Sequence, residues 1–366
     1  KNMIIDKLKN WYLINKLDED EFLTPYNPWE NEGLGQKKIE EFIEALGDSG
    51  DSFKWIEHEK AATKYSVPQQ VQGDFKNANL YCCLYNPGVS ENIWESKADN
   101  LKVFIEENRA TPYIQRMFDF DGKDYESLEF DDVYPKIINK DNNILHQEMK
   151  IIKKQLEKNM VDIPEGEWEN AVDKYLVDII NGKKKSTSLE DADSCYYIKS
   201  YYAALIAGGV SKDYKKVAIE NISKQVKAQN MDCFKEASIC NLELIPFASQ
   251  KKEDIKSNTK DMDKFKEFVV AIILSRIAKY YCEGEAEAPV FIFRSKSEWF
   301  KAIESFIKDK KNNIDPQFEG IYQSELINFF FEFSSRNAMI SQSNIRKVIN
   351  ESDYQTKFLK GSGIRS

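Results

Sequence analysis

The sequence predicts an α/β fold: a four-stranded parallel sheet flanked by helices, preceded by an N-terminal helical extension and interrupted by a long helical insertion. Three observations carry this expectation. Four short apolar runs, 80–85, 240–245, 289–293 and 326–333, have the length of buried strands. Helical patterns at 263–281 and 298–307 separate the last three runs, and strand–helix–strand alternation implies right-handed parallel crossovers. The first two runs stop at proline or glycine, Asn86-Pro87-Gly88 and Pro246. Residues 1–70 read as the extension and 71–366 as the α/β domain, with the insertion at about 91–235.

Taken in order, residues 2–17 place Ile4, Ile5, Leu8, Trp11 and Tyr12 on one face of a helix, a stripe that blurs at the polar Asn15. Pro28 and Trp29 interrupt, and 37–46 reads as a short helix with Gly47 as its C-cap. Gly33 and Gly35 read as a turn, because no strand precedes them and no third glycine follows. After Gly88, Ser90 is placed to cap a following helix. Within the insertion, 144–160 and 168–180 are amphipathic, 183–194 is a polar loop, and 196–207 is a helix closed by Gly208-Gly209. The Phe329–Phe331 run reads as sheet core.

The composition removes several chemistries. The chain has 366 residues, 42% of them hydrophobic, with 52 Lys plus Arg against 61 Asp plus Glu and a net charge of −9. An overall basic nucleic-acid surface is excluded, although a local basic cleft is not. Only His58 and His146 are available for histidine chemistry. The six cysteines form no C-x-x-C pair, so no zinc ribbon or iron–sulfur framework is expected, and their low density suits a reducing, cytoplasmic setting. Cys82 and Cys83 read as small buried hydrophobes. The segment 1–17 lacks the apolar stretch of a signal peptide, and the longest apolar run, 268–274, is too short for a membrane span. Asp119 to Asp124 reads as a solvated acidic turn, since its glycine falls too early for a calcium loop. Lys183–Lys185 reads as soluble surface.

In an open parallel sheet, ligands bind where the loops leave the carboxyl ends of the strands. Here those loops are 86–90, 247–250, 295–299 and 334–338. They are mostly uncharged, with Lys296 and Arg336 as cations, Phe247 and Trp299 as aromatics and Glu298 as the one acid. Such a set suits a neutral heterocycle on a sugar-phosphate, and it lacks the paired carboxylates of divalent-metal phosphoryl transfer. No metal or cofactor is expected. Ordinary turn and cap chemistry is the alternative account of each loop taken singly.

Two stretches resemble motifs of the uracil-DNA glycosylase superfamily. Residues 71–88, from Val71-Gln72-Gly73-Asp74 to Tyr85-Asn86-Pro87-Gly88, resemble its first motif, which in the mismatch-specific branch carries Asn-Pro-Gly. Residues 329–337, ending Ser334-Ser335-Arg336-Asn337, resemble the second motif, a loop after the last core strand. The likeness covers about 71–90 and 238–345. It implies a four-stranded parallel sheet between helices and hydrolysis of a base–sugar bond in DNA carrying a modified or damaged base.

By that likeness Asn86 holds a water beneath C1′, and Arg336 or Asn337 meets the departing base. Tyr85, Phe247 or Trp299 stacks on it, while Pro87, Gly88, Ser249 and Ser335 line the site. The second motif departs from the family's His-Pro-Ser or Asn-Pro, so imidazole help is absent from that loop. The open alternative is an inactive module that binds a nucleic acid, nucleotide or protein on the same sheet. Lys251, Lys252, Arg294, Lys296 and Arg336 are placed to form a basic stripe. Repair and defence against phage DNA with modified bases both fit.

Overall fold

A computed structural model describes residues 3–31, 68–88, 127–181, 195–209, 212–249, 251–255, 257–346 and 354–364, with isolated positions between them. The expected helix at 37–46, the Gly33–Gly35 turn, Ser90 and the Lys183–Lys185 tract lie outside the described residues, as does most of the Asp119–Asp124 turn.

Seven strands form one mixed sheet in the order β3-β1-β4-β2-β5-β6-β7. They are β1 (Val71–Gly73), β2 (Leu80–Leu84), β3 (Ile138–Asn139), β4 (Ile239–Glu243), β5 (Val290–Phe293), β6 (Phe330–Phe333) and β7 (Ile345–Arg346). The general α/β class therefore holds, but the sheet is not the purely parallel four-stranded one expected. The four strands read from the sequence, β4-β2-β5-β6, are adjacent and mutually parallel at its centre. Outside them, β1 and β7 run antiparallel to their inner neighbours, and β3 is parallel to β1. These additions are two or three residues long, too short to carry a period of two.

Helices cover both faces, which is why the central strands are apolar at nearly every position. On one side, Tyr81, Cys83, Cys240, Leu242, Phe291, Phe293 and Phe330 share a core with α1 (Met3–Ile14), α3 (Phe130–Ile137), α8 (Lys260–Glu283) and α9 (Lys296–Lys308). The short α2 (Pro28–Asn31) adds the buried Trp29 there, where the sequence suggested only an interruption. On the other side, Leu80, Cys82, Leu84, Ile239, Val290, Ile292 and Phe331 pack on the insertion. That layer contains α4 (Ile144–Asn159), α5 (Trp168–Asn181), a π-helical turn (Ile198–Tyr202) running into α6 (Ala203–Ile206), and α7 (Tyr214–Lys227). Among the described residues of the insertion, β3 is the one named strand; the rest is helices joined by turns and loops.

Two local features position the strand ends. Gly73 has φ +127°, and a Cβ there would sit 2.3 Å from the Ile239 carbonyl oxygen, so only glycine lets β1 lie against β4. The run 326–333 is strand only in its second half. Its first half is a 3₁₀ turn, Glu325–Phe329, which buries Leu326 and Phe329 at the three-residue spacing of that helix.

Candidate functional site

Because β4, β2, β5 and β6 are parallel neighbours, their carboxyl ends open along one rim, and the four loops meet there. The first two loops are joined directly. The Ile245 N–H donates to the Tyr85 carbonyl at 2.8 Å, the Ser249 N–H to the Pro87 carbonyl at 3.2 Å, and Gly88 and Ser249 form a parallel bridge.

Asn86, half-buried, sits at the centre of this junction. Its Nδ2 donates to the Phe247 carbonyl at 3.0 Å and to Ser249 Oγ at 2.8 Å. A carbonyl can only accept, so the amide orientation is fixed by chemistry. Both amide hydrogens are used, and among the described residues Oδ1 is left as an acceptor without a partner. Ser249 passes the contact on by donating to the Lys251 carbonyl at 2.7 Å.

The loop after β6 is organised by a residue the sequence reading did not single out, Asn344. Its Oδ1 accepts from Ser335 Oγ at 2.7 Å, while its Nδ2 donates to the carbonyls of Asn337 and Met339 at 2.7 and 2.9 Å. Asn337 Oδ1 in turn accepts from the Met339 N–H at 3.1 Å. What remains exposed is the Asn337 Nδ2 and the Arg336 guanidinium, neither with a partner among the described residues. Arg294, at the end of β5, bridges towards this loop by donating from Nη2 to the Arg336 carbonyl at 2.8 Å.

The aromatic residues divide. Trp299 is fully buried with its Nε1 donating to the Leu84 carbonyl at 3.0 Å, and Phe247 is packed against Trp29 and Phe265. Neither ring offers a face to a ligand, so the stacking role expected of them is corrected to core packing. Tyr85 alone of the three borders open space, a cleft of about 890 Å³ that also meets Lys252, Lys266, Glu298, Lys301 and Asp309. Lys252 lies over the Tyr85 ring at 4.6 Å and is ion-paired with Glu298. Lys296 pairs with Glu332 at 2.9 Å. The expected basic stripe is therefore largely compensated, with Arg336 as its open cation.

Beneath the rim on the insertion side lie two polar residues that the sequence reading passed over within the apolar run 240–245. Asn241 and Glu243 are buried on β4, with Glu243 opposite Leu84 in the register. Asn241 Oδ1 accepts from the Tyr202 hydroxyl at 2.6 Å, yet Asn241 Nδ2 and Glu243 Oε2 have no partner. Burial pushes the Glu243 carboxyl well above the usual range, opposed by a hydrogen bond from Tyr197. The available signal was Asn-x-Glu inside a strand that must be covered on both faces.

His146 is buried in the insertion, where its ring contacts Asn142 and Asp232. His58 lies outside the described residues. Among the described residues no three metal-ligating side chains gather, and no helix is long and apolar enough to cross a membrane. Compared with known proteins, the chain matches no family model, no curated protein and no solved structure.

Proposed function

We propose that the chain is a hydrolase that cleaves the N-glycosidic bond of a modified or damaged base extruded from DNA. One observation carries this reading: a conformationally locked Asn86 amide, its oxygen unengaged, on the same rim as the free donors of Arg336 and Asn337. A water donating to Asn86 Oδ1 is held with a lone pair free for attack at C1′. The departing base develops negative charge as the sugar becomes oxocarbenium-like, and Arg336 or the Asn337 amide donates to it. Tyr85 is the aromatic placed to border the substrate. A neutral amide orients water without taking its proton. The enzyme is therefore slow, short of the ~10²–10⁴-fold that general-base help supplies.

A non-catalytic binding module is the second reading. The pairing of Lys252 and Lys296 with carboxylates favours it, because paired lysines attract phosphate weakly.

Duplexes carrying uracil, hypoxanthine or a hypermodified base, incubated with the protein and then treated with alkali, separate the two. Strand breaks at the modified position, lost in Asn86→Ala, support hydrolysis. Intact strands with every duplex, from protein shown to be folded, support the module.

A further inference from the structure

The two unpartnered atoms on β4 are the least explained groups in the described core. A buried donor or acceptor without a partner is costly, and natural folds keep few of them. Here two lie on the same strand face, two residues apart: Asn241 Nδ2 and Glu243 Oε2. Both are less than a tenth exposed. Neither has an evident structural purpose, since Tyr202 engages only the oxygen of Asn241 and Tyr197 leaves Oε2 unmet.

The side chains around them on the insertion side include a cluster of tyrosines. Tyr197 and Tyr201 lie with ring centroids 5.4 Å apart, and Tyr196 meets each of them edge-on at 5.3 and 5.7 Å. Tyr201 continues to Phe333 at 6.2 Å, so an aromatic wall runs from the insertion to the end of β6. Glu243 lies beside Leu84, two residues before Asn86.

We propose that Asn241 and Glu243 are the hydrogen-bonding groups of a subsite for a planar heterocycle, walled by the insertion's tyrosines. This rests on the nucleobase reading above and assigns the recognition of the base to the insertion side of the sheet, leaving the Tyr85 cleft to border the rest of the substrate. Burial raises the Glu243 pKa and so favours the neutral carboxyl, which offers a hydrogen rather than a charge to an uncharged ligand edge. A glutamine reproduces that hydrogen and a leucine does not.

Saturation-transfer NMR with free uracil, cytosine, adenine and hypoxanthine tests the subsite without requiring catalysis. At least one base should receive saturation from the wild-type protein and from Glu243→Gln. Glu243→Leu and Asn241→Leu should each weaken it by about tenfold or more, the equivalent of one buried hydrogen bond. Glu243→Leu should melt close to wild type, because removing an unsatisfied atom from the core offsets the lost Tyr197 hydrogen bond. The subsite is overturned if no base receives saturation from wild type, or if the affinity read from transfer against base concentration is undiminished in both leucine variants. Loss of transfer in a folded Glu243→Gln overturns it equally. Binding of a free base without base release from DNA ends the proposed reaction and keeps the subsite. Base release undiminished in both leucine variants does the reverse.

Discussion

At the scale of single residues, Glu243 makes stability depend on pH in an unusual direction. Its folded-state pKa is raised by burial above the ordinary value of 4.5. In the window above 4.5 the unfolded chain has lost this proton and the folded chain retains it, so the group's stabilisation is complete below 4.5 and falls as pH rises. The slope is roughly 1.4 kcal/mol per pH unit until the folded carboxyl ionises. Glu243→Gln removes the proton exchange. Denaturant titrations at several pH values should show the variant gaining on wild type as pH rises, and parallel curves would refute the burial argument. Tyr202→Phe is the companion case: it strips the hydroxyl from Asn241 Oδ1 and should cost about 1–3 kcal/mol, read by the same titrations. Asn86 has a packing role beside its proposed chemical one. Asn86→Ala should lose about 1–2 kcal/mol through its two donated bonds, so activity must be compared at equal folded fraction. Little of this was legible in the sequence. Asn86 stood out because proline and glycine follow it, whereas Asn241, Glu243 and Asn344 matter through partners many residues away.

At the scale of elements, legibility followed length. The long helices and the four central strands announce themselves through periodicity and apolar runs, because each must bury a whole face. The edge strands β1, β3 and β7 are set by pairing alone, and nothing local marks them. The cores formed by long-range contact can still be probed by single truncations. Trp11 on α1 donates from Nε1 to the Tyr26 hydroxyl at 2.9 Å and meets Phe306 of α9 edge-on at 5.7 Å. Trp11→Ala should cost about 3–5 kcal/mol by chemical denaturation, the range for an aromatic lost from a core. A loss under about 1 kcal/mol would mean α1 is an appendage. Arg276 of α8 is similarly central. Its Nε donates to the Ala78 carbonyl at 3.0 Å, and its Nη atoms grip Glu285 at 3.0 and 2.6 Å, fixing the entry into β2. Glu285→Ala leaves that guanidinium buried without a counter-charge and should cost about 3 kcal/mol, the lower end for a broken buried pair because Glu285 is a quarter exposed.

At the scale of the whole molecule, the acidic balance and the proposed DNA substrate pull against each other. The net charge is −9, and of the rim cations Lys252 and Lys296 are ion-paired while Arg294 donates to the Arg336 backbone. Arg336 holds out an unpaired guanidinium, Arg294 is bonded to a backbone carbonyl rather than a carboxylate, and a lysine released from its carboxylate adds a third, so the described rim has cations for only about two or three phosphates. Each phosphate neutralised contributes roughly −0.9 to the slope of log affinity against log salt. The rim thus predicts a slope of about −2 to −3, where proteins that grip duplex DNA through 6–10 phosphates show far steeper ones. Fluorescence anisotropy of a labelled duplex between about 25 and 200 mM salt reads this slope directly. A shallow slope is what an enzyme gains from recognising the extruded base rather than the backbone, and Arg336→Ala should flatten it by about one. A slope steeper than about −5 would require a second set of cations away from the rim, and the base would then be found by sliding along the duplex rather than by local capture.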